Sequence, residues 1–265
     1  MEQKVALITG TSSGMGKEIS QYLADKGYFV YAFSRKRCHF NSNNIKNVVV
    51  DIKDIGAIEA AFSNIERVDL LVNNAGYGLV STIEHMQEEQ MVEQFNINVF
   101  ALLRTTKFAI SKMKKRGGVI INISSFLGKI GLPLFTMYNA TKYAVEGITD
   151  SLRYELKDFN IRVHSIMPGF FDTEFAKSNL VVGNDISSKS LDYQRLIDTL
   201  VPKILEQING GNSAKDVAKL VYKIAQDKNF DARVTVGDRA SKFIPIRKEL
   251  SDEEFEDFVS RYYGI

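Results

Sequence analysis

The sequence predicts an α/β fold, a doubly wound parallel β-sheet flanked by helices in a single domain. Three observations predict it. Short apolar runs alternate with longer amphipathic segments, as they do in βαβ units. The run Val119-Ile120-Ile121-Asn122-Ile123 has the pattern of a strand buried on both faces of a parallel sheet. The first apolar run, Val5 to Thr9, passes at once into a glycine-rich turn and then an amphipathic segment.

Size and charge bound the possibilities. At 265 residues and 45% hydrophobic content, the chain can bury a large core. Lys plus Arg number 34 against 32 Asp plus Glu, a net +2, with no basic or acidic block long enough to suggest nucleic acid or a membrane surface. Cys38 is the single cysteine, so no internal disulfide can form. His39, His85 and His164 are scattered without ligand spacing, so no metal site is expected; His164 reads as a packed structural residue. The start MEQKVALITG lacks a signal peptide's apolar core, and no run approaches the ~20 residues of a membrane span. A cytoplasmic protein is expected.

Taking the elements in order, Val5–Thr9 leads into Gly10-Thr11-Ser12-Ser13-Gly14-Met15-Gly16, followed by a helix with Ile19, Tyr22 and Leu23 on one side. Gly10 suits a tight turn, Gly14 lets backbone amides approach a pyrophosphate, and Gly16 allows the helix to pack closely on the sheet. The helix N-terminus favours the anion. The spacing is Gly-x-x-x-Gly-x-Gly rather than the commoner Gly-x-Gly-x-x-Gly, and a plain loop is the competing reading.

The second strand, Tyr28 to Phe33, ends in Ser34-Arg35-Lys36-Arg37. An acid at this strand end would bind the ribose 2′-hydroxyl of NAD, whereas arginine accommodates the 2′-phosphate of NADP. Three cations and no acid point to NADP(H), with NAD(H) possible and Arg35 as the main phosphate contact; a solvated basic loop is the alternative. Val48 to Val50 form a third strand ending in Asp51-Ile52, residues 54–66 suit a helix, and a fourth strand, Val68 to Val72, opens into Asn73-Asn74-Ala75-Gly76. Small residues there would let the backbone pass under a cofactor, though a simple turn explains them equally well.

A long helical pattern from about Gln87 to Arg116 contains Asn98 inside an apolar face, which is unfavourable unless its amide finds a partner. The strand Val119–Ile123 then places Ser125 at the carboxyl edge of the sheet, where open α/β sheets bind ligands. Thirteen residues on, Tyr138 and Lys142 are four apart and share one face of a helix beginning near Phe135. Moving a tyrosine from a pKa of about 10 to about 7 takes roughly 4 kcal/mol. An ammonium about 4 to 5 Å away supplies roughly 3 to 4 kcal/mol at an effective dielectric of about 20. Spacing alone is weak: Tyr22 and Lys26 repeat it on a helix with no serine strand before it, and read as a surface pair.

Together these motifs resemble the short-chain dehydrogenase/reductase family, with its Rossmann-like fold, over about residues 4 to 236: Thr9-Gly10-x-x-x-Gly14-x-Gly16, Asn73-Asn74-Ala75-Gly76, Asn98, Ser125, Tyr138-x-x-x-Lys142, and Pro168-Gly169 with Thr173. The resemblance implies that Tyr138 is the catalytic acid/base, that Ser125 positions a carbonyl, that Lys142 lowers the tyrosine pKa and holds the nicotinamide ribose, and that Asn98 supports a water relay. It implies that Asp51 contacts the adenine, Asn74, Ala75 and Gly76 the adenosine side, and the backbone after Pro168, with Phe171 and Thr173, the carboxamide. Met15 and Asn139-Ala140-Thr141 depart mildly from the usual pattern. Within the family the sequence is similar to a bacterial branch akin to 17β-hydroxysteroid dehydrogenase type 1 and retinol-type reductases.

The segment from about 170 to 211 is expected to be a substrate lid, with Phe170, Phe171, Phe175, Phe126, Leu134, Phe135 and Met137 forming an apolar pocket or, equally, core. Residues 213–228 suit a helix and Arg233–Val236 a last strand. A tail from about 238 to 265 carries a Ser251–Glu254 capping box and a face of Phe255, Phe258, Val259 and Tyr262, expected to dock on the domain or a partner subunit. The expectation is an NADP-dependent oxidoreductase acting on a small-molecule carbonyl or alcohol, and by resemblance a homodimer or homotetramer paired through the two long helices. An epimerase or dehydratase, and a non-catalytic nucleotide-binding scaffold, are the alternatives.

Overall fold

A computed structural model describes residues 2–172, 180–182 and 191–265. The elements in chain order are β1 (Val5–Thr9), α1 (Gly14–Asp25), β2 (Phe29–Ser34), β3 (Ile45–Val49), α2 (Ile55–Ser63), β4 (Leu70–Asn73), β5 (Gly78–Val80), α3 (Glu88–Phe95) and α4 (Ala101–Met113). They continue with β6 (Gly118–Ile123), α5 (Thr136–Glu155), β7 (Ile161–Pro168), β8 (Phe171–Asp172), β9 (Leu180–Val182), α6 (Gln194–Asn209), β10 (Asn212–Ser213), α7 (Ala214–Gln226), β11 (Arg233–Val236), α8 (Asp238–Glu249) and α9 (Asp252–Tyr263). Among the described residues, no helix is long and apolar enough to cross a membrane.

Seven strands form one parallel sheet in the order β11-β7-β6-β4-β1-β2-β3. The chain builds outward from β1 to β3, then returns to place β4 on the other side of β1. The order therefore reverses between β1 and β4, and their carboxyl ends diverge into the crevice where such sheets bind ligands.

Period-two alternation sends neighbouring side chains of one strand to opposite layers. Ala6 and Ile8 of β1 pack with Ile19 and Leu23 of α1 and Val217 and Val221 of α7. Leu7 between them joins Ile58 and Phe62 of α2 and Met113 of α4 on the other face. Each fully buried aliphatic side chain of this kind contributes roughly 1.5–3 kcal/mol. Because both faces are covered, the central strands β1, β4 and β6 are mostly apolar, which is why they read as near-continuous runs. A third cluster joins Phe126, Phe135, Tyr138 and Phe170 to Ile204 and Ile208 of α6, Phe243 of α8 and Phe255 and Tyr263 of α9.

The structure shifts several expected boundaries by one to three residues. A larger difference lies in the long helix, which is a composite: α3 and α4 are joined through a π-helical turn at Asn96–Phe100. The tail also contains α8, which the sequence hid because Pro245 reads as a breaker and the segment's apolar residues make only a weak helical face. The capping box forms as expected, with Ser251 accepting from the Glu254 amide at 3.3 Å and Glu254 accepting from the Ser251 amide at 2.9 Å. Of the expected tail face, Phe255 and Val259 are buried while Phe258 and Tyr262 pack at its edge, and Tyr263 is buried with them. Lys203 of α6 donates to the Tyr263 carbonyl, so α9 docks on this chain.

Candidate active site

A cavity of about 740 Å³ opens at the carboxyl edge of the sheet, over the reversal between β1 and β4. Its near end is the turn after β1. Gly10 and Gly14 sit in the left-handed region, with φ +72° and +53°. A Cβ on Gly10 would stand 2.8 Å from the Cα of Ala75, so only glycine lets the β1 and β4 turns meet. Gly10, Ser12, Ser13, Gly14 and Met15 line the cavity. Ser13 precedes α1 without using its side chain to cap it, and the helix's first turn carries no acid, a donor set suited to a phosphate anion.

Gly16 and Asn74 hold the turns together. Gly16 does not line the cavity; a Cβ there would collide with the Gly10 carbonyl and the Asn74 amide, so this glycine serves helix packing. Asn74 reaches the wall, but its side-chain Nδ2 donates to the carbonyls of Thr9 at 2.9 Å and Gly10 at 3.2 Å, tying the two turns together. Thr9, not singled out from sequence, completes this clasp: its Oγ1 accepts from the amides of Asn74 and Ala75, both at 3.0 Å.

The middle of the cavity is lined by Ser34 and Arg35 after β2, Asp51 and Ile52 after β3, and Ala75 and Gly76 after β4. Arg35 is exposed at the mouth. The Ser34 hydroxyl donates to the Lys36 carbonyl at 2.7 Å and shapes the basic loop, while Asp51 accepts from the Lys53 amide at 3.0 Å. Lys53 and Glu93, unforeseen in the sequence, also line this part and pair at 2.8 Å.

Ser125, Tyr138 and Lys142 converge on the far end. Ser125 follows β6 in extended backbone, and its Oγ accepts from the Leu127 amide at 3.1 Å. That bond occupies a lone pair and leaves the hydroxyl proton to donate, and a hydrogen bond between Ser125 and Tyr138 acts to lower the phenol's pKa. Tyr138 and Lys142 are one turn apart near the start of α5, with the ammonium 5.5 Å from the centre of the phenol ring. Lys142 Nζ donates to the Ile123 carbonyl at 2.9 Å.

The electrostatic balance differs from the expectation that lysine would make the phenol acidic. Burial pushes Tyr138 up to about 12, opposed by the Ser125 hydrogen bond. Burial also pushes Lys142 down to about 8, opposed by the charge of Glu146. Desolvation disfavours both charged forms, and it is the largest influence on each. In the chain alone the tyrosine is a protonated phenol.

Asn98 is buried behind this end and does not line the cavity. Its Oδ1 accepts from the Tyr77 amide at 3.0 Å, and its Nδ2 donates to the Tyr77 carbonyl at 2.9 Å and to Thr141 Oγ1 at 3.1 Å. The awkward amide is thus satisfied, and the π turn is what aims it.

Leu79, Phe126, Leu127, Phe135, Phe170, Phe171 and Ile208 complete the walls, with Pro168 and Gly169 at the end of β7. Leu134 is buried beside them and Met137 is half-buried, and neither lines the cavity. Thr173 and Phe175, and with them residues 173–179 and 183–190 of the expected lid, lie outside the described residues. His164 is buried with its Nδ1 2.8 Å from the Asp231 carbonyl, remote from the cavity, as the sequence suggested. Tyr22 and Lys26 also lie outside the cavity and meet Tyr222 of α7. Among the described residues, no group of acids, histidines and cysteine could hold a metal ion.

Comparison with known proteins agrees with this architecture. A family model described as short chain dehydrogenase matches residues 4–180. The chain is 34% identical to a 3-ketodihydrosphingosine reductase of Bacteroides thetaiotaomicron, over 100% of both proteins. Among solved structures, a short-chain dehydrogenase from Streptomyces avermitilis superposes with a TM-score of 0.83 at 26% identity, covering 100% of this chain and 98% of that one. ElxO with NADP bound superposes with a TM-score of 0.69 at 26% identity, covering 89% of this chain and 97% of that one. The finer likeness to hydroxysteroid and retinol-type enzymes is not carried by these relatives.

Proposed function

The chain belongs to the short chain dehydrogenase family, and on that premise we propose that it is an NADPH-dependent reductase of a ketone or aldehyde on an apolar body, Tyr138 being the proton donor. The observation that carries the reading is the convergence of Ser125, Tyr138 and Lys142 at one end of a cavity whose other end is the glycine turn. NADP fits the residues present: a helix N-terminus free of acids, a Gly10 that no larger residue could replace, and Arg35 where a 2′-phosphate would lie. ElxO, of the same fold, has been crystallised with NADP.

NADPH, when bound, supplies the hydride. The chain's part is to hold the carbonyl and move a proton. Ser125 donates a hydrogen bond to the carbonyl oxygen and fixes it beside the phenol. As that oxygen gains charge, Tyr138 gives up its proton to it, and the Lys142 ammonium stabilises the phenolate left behind. Asp51 and Ile52 support the adenine, and Asn98 steadies the wall around Lys142. Phe126, Phe135, Phe170 and Ile208 exclude water, and their apolar character is the ground for an apolar substrate. The first relative above, named as a 3-ketodihydrosphingosine reductase, supports a ketone on an aliphatic chain. We further assign α6, α8 and α9 to the substrate side of one domain. We assign pairing between copies to α4 and α5, whose Leu103 and Tyr143 are exposed, as is Phe100 of the π turn before α4.

The test is a panel of aliphatic β-functionalised ketones, simple aldehydes and steroids, each with NADPH and NADH. NADPH consumption with an aliphatic ketone supports the proposal. Tight NADPH binding without turnover across the panel would favour a scaffold, and product isomerised without net NADPH consumption an epimerase.

A further inference from the structure

Glu146 is the single Asp or Glu among the described residues whose side chain is buried in the core. It stands four residues after Lys142 on α5, one turn along the same face. Arg233 of β11 donates to its Oε2 at 2.6 Å, and Lys129 approaches the same oxygen at 3.7 Å. Its Oε1 has no hydrogen-bond partner among the described residues. Arg233 is shared with Asp150 at 2.5 Å, so it does not balance Glu146 alone. Gly128 brings the groups together: a Cβ there would meet the Lys142 carbonyl at 2.9 Å, Ser124 Oγ at 2.9 Å and Glu146 Cγ at 3.1 Å. A buried carboxylate is stable only among cations, and the remaining cation on its helix face is Lys142.

Resting on the function proposed above, we propose that Glu146 is a positioning residue that keeps the Lys142 side chain charged and seated on the Ile123 carbonyl, beside Tyr138. The phenolate formed by proton transfer needs a charged lysine as its counter-ion. Burial already works against that charge, and the Glu146 carboxylate is the group that opposes it. The charged and titratable groups around Lys142 are Tyr138 and Glu146 of α5. Around Glu146 they are Arg233 of β11 and Lys129 of the loop after β6, with Asp150 of α5 behind Arg233.

The test is an NMR titration of ¹⁵Nζ-labelled lysine in the ligand-free protein, with Lys142→Met to assign the resonance. Glu146→Gln is expected to lower the Lys142 midpoint by about one pH unit. The alkaline limb of kcat is expected to move down with it, and Glu146→Asp to restore part of the shift. A midpoint unmoved in folded Glu146→Gln overturns the proposal. Should that variant not fold, Arg233→Gln decides: freeing the carboxylate from its partner is expected to raise the Lys142 midpoint, and an unchanged or lowered value overturns it. Because the titration needs no turnover, a wild-type protein that reduces no carbonyl sinks the functional reading alone.

Discussion

Replacing Lys142 by Met is expected to stabilise the ligand-free protein near neutrality while abolishing its activity. The fold holds this ammonium fully buried, and its pKa falls from 10.5 to about 8. Burial thus disfavours the charged form in the folded state by roughly 3–4 kcal/mol. Below about pH 8 both folded and unfolded chains bind the proton, so the whole penalty applies. Between about 8 and 10.5 the unfolded chain binds more protons, so stability rises with pH, and above 10.5 the penalty is gone. Methionine matches the length of the apolar stem and carries no charge, but it forfeits the bond to Ile123, worth about 1.5–3 kcal/mol from a charged donor. The net expectation at pH 7 is a gain of roughly 0.5–2 kcal/mol. Above pH 10.5 the comparison reverses, because the neutral amine keeps its hydrogen bond without a burial penalty. Urea unfolding of both proteins at pH 7 and above pH 10.5 measures the difference directly. A variant less stable than the wild type by the same amount at both pH values would refute the reasoning.

Tyr138→Phe keeps the ring packed on Phe135 and should lower kcat by about 10²–10⁴ while the NADPH dissociation constant, read by fluorescence, is unchanged; more than a tenth of the activity remaining contradicts the proton-donor role. Arg35→Ala should weaken NADPH binding by about tenfold or more and leave NADH binding alone, since only the former carries the 2′-phosphate; equal loss for both cofactors counts against it. Gly10→Ala imposes a side chain at φ +72° and 2.8 Å from Ala75, so a loss of about 1–3 kcal/mol in unfolding free energy is expected, together with weakened NADPH binding; an unchanged melt and titration would show that the turn relaxes freely.

Much of this site was legible because its spacings are mechanical. A strand end places Ser125, a helical turn aligns Tyr138 with Lys142, and a glycine turn between strand and helix marks the phosphate end. The sequence does not show which way a small polar residue faces. Asn74 reads as a cofactor contact and lines the cavity, yet its side chain joins the turns of β1 and β4, whereas Gly16 packs α1 on the turn as expected. Small residues suit a ligand's approach and a neighbouring backbone's approach equally well. The π turn at Asn98 was hidden for a related reason: one extra residue in a helix leaves the apolar pattern on either side almost intact, and only the misplaced amide betrays it.

The sign of the Tyr138 shift was out of reach altogether. In solution the two side chains titrate half a unit apart, at 10.0 and 10.5, with the tyrosine the more acidic. Burial separates them the other way, to about 12 and about 8, so the proton belongs to the phenol. No pair spacing encodes this, because desolvation depends on every wall of the cavity. A phenol that holds its proton until an adjacent oxygen becomes strongly basic is suited to the donor role proposed above. The sign follows from burial that the apolar sequence around Tyr138 creates.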